Sequence, residues 1–143
     1  MFTKSCEYAI KAVIYIANQS LDNKRVKLHD IVKHVESPPA FTAKILQELA
    51  KNQIIVSQTG PNGGFEISKS DMKEIRLSEI VRVIDGDSIY KGCGLGLSQC
   101  SESKPCPIHK KFAKVRNELR KMLDSTTIYE LAVGIKTTTY LKR

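Results

Sequence analysis

Three of the four cysteines in this 143-residue chain crowd together as Cys93-x6-Cys100-x5-Cys106, and a histidine completes the run as Cys106-x2-His109. Thiolates are soft ligands suited to iron–sulfur clusters and zinc, and an imidazole or a carboxylate can complete the set. Zinc is usually gripped by paired Cys-x2-Cys knuckles, and no such pair occurs. The wider gaps let a loop wrap a larger object, so the spacing favours an iron–sulfur cluster, 2Fe-2S or 4Fe-4S, over zinc. Gly92, Gln99 and Pro105 beside the thiols offer no apolar core that would merely bury them. A thiol redox enzyme needs Cys-x-x-Cys at a helix N-terminus or a thiolate with a base. Only Cys106 and His109 make a close thiol–imidazole pair, so catalysis is not expected. Cys6 stands apart and reads as a small, half-buried apolar residue.

A second set of residues suits contact with DNA. Ala40, Thr42, Lys44 and Gln47 are expected on the outward face of a helix, where short or amide side chains approach base edges and a cation meets phosphate or guanine. Gly60-Pro61-Asn62-Gly63-Gly64 is a hairpin tip, and its glycines are expected to let the backbone, with Asn62, come close to a phosphate or a minor groove. The net charge of +8, from 23 Lys and Arg against 15 Asp and Glu, favours such a polyanionic partner, double-stranded DNA.

These side chains need elements to carry them. Tyr8, Ala9, Ala12, Val13, Ile16 and Ala17 recur at helical spacing and predict a first helix over about 3–18. Val26, Leu28, Ile31 and Val32 predict a short second helix. Ser37 is the expected N-cap of a third, with a proline in its first turn and Phe41, Ile45, Leu46 and Leu49 as its apolar face. Ile54-Ile55-Val56 and Phe65-Glu66-Ile67 predict two strands around the Asn-Gly turn. Three helices and a hairpin make a winged helix-turn-helix whose third helix reads the major groove. Beyond it, residues 77–84 predict a fourth helix, 92–105 a Gly/Ser-rich loop, and 107–123 a long helix with Phe112, Val115, Leu119 and Met122 at spacings of three and four. Ser125 is the expected cap of a last short helix over 126–133, and the final ten residues, including Lys136, Lys142 and Arg143, are expected to fray.

The expected fold class is therefore mainly α with a small β-hairpin: a winged helix-turn-helix over 1–75, then a cluster-binding loop at about 92–106 and a long dimerisation helix within 76–143. The apolar stripe of that helix is too extended for one small domain to cover, which predicts a homodimer. The longest apolar run, Ala12 to Ala17, is far short of the roughly 20 residues of a bilayer span, and no signal-peptide core opens the chain, so no membrane partner and a cytoplasmic location are expected.

Taken together, Glu7-Tyr8-Ala9, Phe41-Thr42-Ala43-Lys44-Ile45-Leu46, Gly60-Pro61-Asn62-Gly63-Gly64-Phe65, Leu77-Ser78-Glu79-Ile80-Val81 with Asp85-Gly86, and the three-cysteine loop resemble the Rrf-type family of winged-helix iron–sulfur transcription regulators (IscR/NsrR-like) over nearly the whole chain. The resemblance implies a homodimer with crossing long helices, and a cluster held by Cys93, Cys100 and Cys106 that changes affinity for operator DNA in response to nitric oxide, redox state or cluster supply. For the fourth ligand it implies either His109, as in one branch, or Glu7 donated from the partner's first helix, as in another. A carboxylate departs readily, which favours Glu7 in a sensor. Besides this ambiguity of the fourth ligand, two features depart from the family pattern: the first cysteine gap is one residue longer than usual, and Ala43 stands where one branch has an acidic residue for operator choice. His34 resembles a ligand position of a redox-sensing branch, about one position out of register. His34 reads instead as a solvent-facing or phosphate-contacting residue, and His29 as a surface one.

Overall fold

The computed structural model describes residues 1–135; the expected fraying of the last residues, Lys136, Lys142 and Arg143 among them, lies outside the described residues. Helix α1 spans Lys4–Leu21, three residues further than its periodicity predicts. Thr3 caps it by accepting the Cys6 N–H at 3.1 Å, and a solid stripe including Ala9, Ala12, Val13, Ile16 and Ala17 is buried. Helices α2 (Leu28–Val35) and α3 (Pro39–Lys51) pack on it. The turn between them needs a left-handed residue, which Glu36 supplies at φ 57°.

Ser37 does not cap α3. Pro38 holds the cap position with Pro39 in the first turn, while Ser37 is buried and its hydroxyl pairs with that of Thr42 at 2.6 Å. The strands of the wing are β1 (Val56–Gln58) and β2 (Gly64–Glu66), antiparallel, with Ser57 opposite Phe65. Ile54 and Ile55, expected in the first strand, are core residues before it. An α4 helix at Lys69–Glu74, absent from the sequence-based expectation, follows with Ser68 as its cap.

Helix α5 covers Leu77–Asp85 and stops at Gly86, whose φ of 71° a side chain would resist. A 3₁₀ turn at Ser88–Tyr90 opens the cysteine loop, and α6 (His109–Ser125) and α7 (Ile128–Gly134) close the described chain. The cap of α7 is Thr127, which accepts the Glu130 N–H at 3.1 Å, rather than Ser125. Two backbone bonds, Leu77 N–H to Thr126 O at 2.8 Å and Ile128 N–H to Ile75 O at 3.1 Å, bring α7 back onto α1 and α4. One apolar core therefore runs across residue 75: Val13, Ile16, Leu46 and Leu49 share it with Ile80, Val81, Leu123 and Ile128.

Helix α6 is different. Over a length of roughly 26 Å it fully buries only Leu123, and Val115 and Met122 are 61% and 49% exposed. Among the described residues no helix is long and apolar enough to cross a membrane.

Candidate functional site

The loop between the 3₁₀ turn and α6 brings its three cysteines together. One ligand atom from each of Cys93, Cys100 and Cys106 lies within 4.8 Å of the others, with 3.6 Å between the sulfurs of Cys93 and Cys106. His109, in the first turn of α6, places Nδ1 3.4 Å from the Cys100 sulfur. Backbone N–H groups already point at the thiols: Leu95 N–H to Cys93 Sγ and Cys106 N–H to Cys100 Sγ, both 3.4 Å. Such bonds stabilise thiolate, the form that binds metal. Those from Leu97 and Leu95, helped by the Cys106 and Cys100 thiols, bring Cys93 down to about 7. Cys100 accepts the Cys106 N–H, but burial and the thiols of Cys106 and Cys93 outweigh it and push that group up. Sulfur ligands that converge, half-buried, with amide donors aimed at them form a donor set for a thiophilic metal or an iron–sulfur cluster.

The loop is not free to drift. Arg116 of α6 donates from Nη1 to Gly92 O at 2.9 Å and to Tyr90 O at 3.3 Å, and its guanidinium lies 5.4 Å from the Phe112 ring. Phe112 lies under Gly94, where a Cβ would come within 2.9 Å of the ring. Cys93 is thus held on both sides by α6, a long-range contact that spacing alone could not reveal.

Glu7 lies elsewhere in its own chain, on the first turn of α1, 3.3 Å from Lys4 Nζ and outside the three-cysteine group. Next to it, Cys6 is fully rather than half buried; burial and then Asp85 push its thiol up to about 12. Asp85, at the end of α5, also accepts the Thr3 N–H at 3.1 Å and the Thr3 hydroxyl. His34 is half-buried: its ring stacks on Tyr15 at 4.5 Å and Nδ1 lies 2.8 Å from Asp30 O. His29 is exposed beside Asp30.

On α3, Ala40, Lys44 and Gln47 are exposed along one stripe, and Lys51, which the sequence reading missed, continues it at the same spacing. Thr42 is not on that face. It is 1% exposed, bonded to Ser37 and, at 2.7 Å, to Pro38 O, because positions 42, 45, 46 and 49 form the inner stripe. Phe41, expected inside, is 37% exposed and meets Tyr8 edge-on at 5.8 Å. In the wing, Asn62 is exposed, but Gly63 and Gly64 are glycine for the hairpin's own sake. A Cβ on Gly63 would lie 2.3 Å from Gln58 O, and one on Gly64, at φ 138°, 2.7 Å from Val26 O. The expected reason, room for DNA, is replaced by room for the chain itself; at Gly60, by contrast, nothing lies within 4 Å.

With a winged helix-turn-helix and a three-cysteine loop in place, comparison with known proteins decides the family. The model of Rrf2, described as iron-dependent transcriptional regulator, matches residues 2–134. The chain belongs to the Rrf2 family. An HTH-type transcriptional regulator of Aquifex aeolicus (strain VF5) is 31% identical over 133 residues, covering 92% of this chain and 90% of that one. The HTH-type transcriptional regulator NsrR of Oceanobacillus iheyensis is 24% identical over 129 residues, 90% and 86% of the two chains. Among solved structures, CymR, the global cysteine regulator of B. subtilis, superposes with a TM-score of 0.77 at 20% identity over 94% of this chain and 97% of its own. As an Rrf2 member the protein is a transcription regulator with a winged-helix fold.

Proposed function

We propose that this Rrf2 protein is a homodimeric, DNA-binding transcription regulator whose operator affinity is switched by an iron–sulfur cluster on Cys93, Cys100 and Cys106, responding to nitric oxide, redox state or cluster supply. The convergence of three sulfurs within 4.8 Å on a loop anchored to α6 carries the reading. Within one protomer the geometry supports His109 as the fourth ligand, since it already adjoins the Cys100 sulfur. Glu7 stands outside the three-cysteine group of its own chain, and its half-buried position in the first turn of α1 suits donation across a dimer. The exposed Val115 and Met122 support pairing through α6, because an apolar stripe on a helix of that length calls for a second copy to cover it. Ala40, Lys44, Gln47 and Asn62 are the residues we assign to the operator, with Gly63 and Gly64 shaping the wing. We assign residues 1–75 to DNA reading and 76–143 to sensing and pairing.

The cluster, when bound, supplies bonds that draw the three thiolates to one point. The rest is done by the chain: Arg116 and Phe112 transmit the position of the loop to α6, and α6, through Leu123, meets the core that carries α3. The effect on DNA is a population shift limited by the difference in affinity between the two arrangements.

Protein purified without oxygen should be brown, with visible sulfur-to-iron bands, and its holo and apo forms should differ in operator affinity. Equal affinities would refute the switch, while loss of the difference in either Glu7→Ala or His109→Ala identifies the fourth ligand. A second reading, structural zinc, is favoured by one observation: three sulfurs and an imidazole nitrogen gathered within a single chain are also a donor set that would hold zinc. A colourless protein holding one zinc would select it.

A further inference from the structure

The hairpin of the wing is bridged from the side by the chain that enters α2. Val26, in the connection between α1 and α2, exchanges both backbone bonds with Phe65, its N–H reaching Phe65 O at 3.1 Å and its carbonyl accepting the Phe65 N–H at 2.8 Å. Val26 thus forms a single antiparallel bridge along the outer edge of β2. Val26 is buried, whereas its neighbours Arg25 and Lys27 are exposed. Lys24 joins them in an open cleft of about 550 Å³ between this segment and the wing tip.

The charges in that cleft are unequal in their commitments. Its one carboxylate, Glu66, is occupied by Arg25, with Nε to Oε2 at 3.0 Å, and the same guanidinium donates from Nη1 to Asn62 O at 3.2 Å. Arg25 therefore ties the wing tip to the segment around Val26. The acid facing Lys27 from α2, Asp30, accepts the Lys27 N–H at 3.1 Å and lies 3.3 Å from His29. Neither the Lys24 nor the Lys27 ammonium has a carboxylate partner among the described residues. Along an extended chain these two residues stand at most about 10 Å apart, close to the rise of three nucleotides of one DNA strand at ~3.4 Å each. Two unpaired, long-stemmed cations beside a protruding Asn62 suit a row of phosphates better than one enclosed anion.

We propose that Lys24 and Lys27, exposed in the cleft beside the wing tip, bind the DNA backbone that flanks the bases read by α3, with Arg25 as the residue that sets the wing against them. The inference rests on the DNA-binding reading above and adds a phosphate-binding edge to it. Contacts of this kind add affinity without sequence preference, and they release counterions.

The test is binding of the full chain to a fluorescein-labelled, random-sequence duplex as salt is raised. Each lost phosphate contact lowers the log–log salt slope by about 0.9, so Lys24→Ala/Lys27→Ala, which removes two contacts from each protomer of the proposed homodimer, should lower it by about 3.6 per dimer. Between about 50 and 200 mM salt the wild type should then lose about 150-fold more affinity than the variant. Lys110→Ala/Lys114→Ala, two exposed lysines on α6, removes the same charge far from the wing and should leave the slope near wild type. An unchanged slope in the first variant, or an equal fall in both, overturns the assignment while leaving DNA binding intact. No duplex binding by the wild type at any salt would overturn the DNA-binding reading itself, and this edge with it.

Discussion

Removing Arg116 should release the cysteine loop while leaving the fold in place. In Arg116→Ala two bonds from a charged donor to backbone carbonyls vanish, at Gly92 O (2.9 Å) and Tyr90 O (3.3 Å), together with the packing of the guanidinium on Phe112. Hydrogen bonds from charged groups contribute about 1.5 to 3 kcal/mol each. Here the second bond is long, the side chain is partly exposed, and Nε is buried without a partner, which offsets part of the gain. The pair together is therefore worth about 1.5 to 3 kcal/mol, or roughly a 10- to 150-fold change in the population of the docked loop. Hydrogen exchange on reduced, metal-free protein reads this directly, because among the described residues the Leu95 amide is held by the Cys93 sulfur alone and should exchange faster by that factor. The core amides of α1 and α5 should keep wild-type protection, and Arg116→Lys, which keeps the charge but loses the planar fork, should fall between the two. Exchange at Leu95 within about twofold of wild type would show that something other than α6 positions the loop.

Three further outcomes follow from the same geometry. In metal-free, reduced protein Cys93, whose thiol is held at about 7, should gain thiolate as pH rises through that value and label with iodoacetamide before Cys100, whereas Cys6, pushed up to about 12, should label only on unfolding; peptide mapping across pH checks the order. Gly63→Val should lower the melting temperature through a clash with Gln58 O, at a cost of about 1 to 3 kcal/mol, and a variant that melts with the wild type would mean that the hairpin opens to admit the side chain. Lys44→Ala should weaken operator binding by about 1 to 3 kcal/mol with little change in melting, whereas Thr42→Val should do the reverse, costing about 1 to 2 kcal/mol of stability as it leaves Ser37 without its partner; calorimetry and anisotropy on both variants separate reading from packing.

The helix-turn-helix was legible because its signals are local: helical spacing in α1 and α3, and Asn-Gly at the wing. Thr42 shows where local reading slips. Its position, three and four residues before Ile45 and Leu46, marks it as inner, but its hydroxyl suggested a polar face; a buried threonine is tolerated there because Ser37 and Pro38 satisfy it. The α4 helix was missed because six residues with one buried side chain, Met72, leave almost no periodicity, although Ser68 and Asp71 do form a legible cap. The cysteine spacing pointed to a shared site. What could not be read was Arg116 reaching back 24 residues to Gly92, or Val26 pairing with Phe65 across the hairpin, since neither leaves a pattern in neighbouring residues.

Helix α1 lies at the hub of the core, touching α2, α3, α5 and α7, with Asn18 Nδ2 donating to Ile135 O at 2.8 Å. The order of synthesis runs against this arrangement. α1 leaves the ribosome first, and α7, ending at Gly134, is among its last partners to appear. At ~5 to 20 residues per second, the interval between the end of α1 and the end of α7 is roughly 6 to 23 s. Through that interval a stripe that includes Val13, Ile14 and Ile16 lacks its full cover, so the nascent chain is sticky at the helix that later organises everything else. Slowed translation, or a truncation before Ile128, should therefore show up as aggregation or chaperone dependence rather than as a stable DNA-binding fragment.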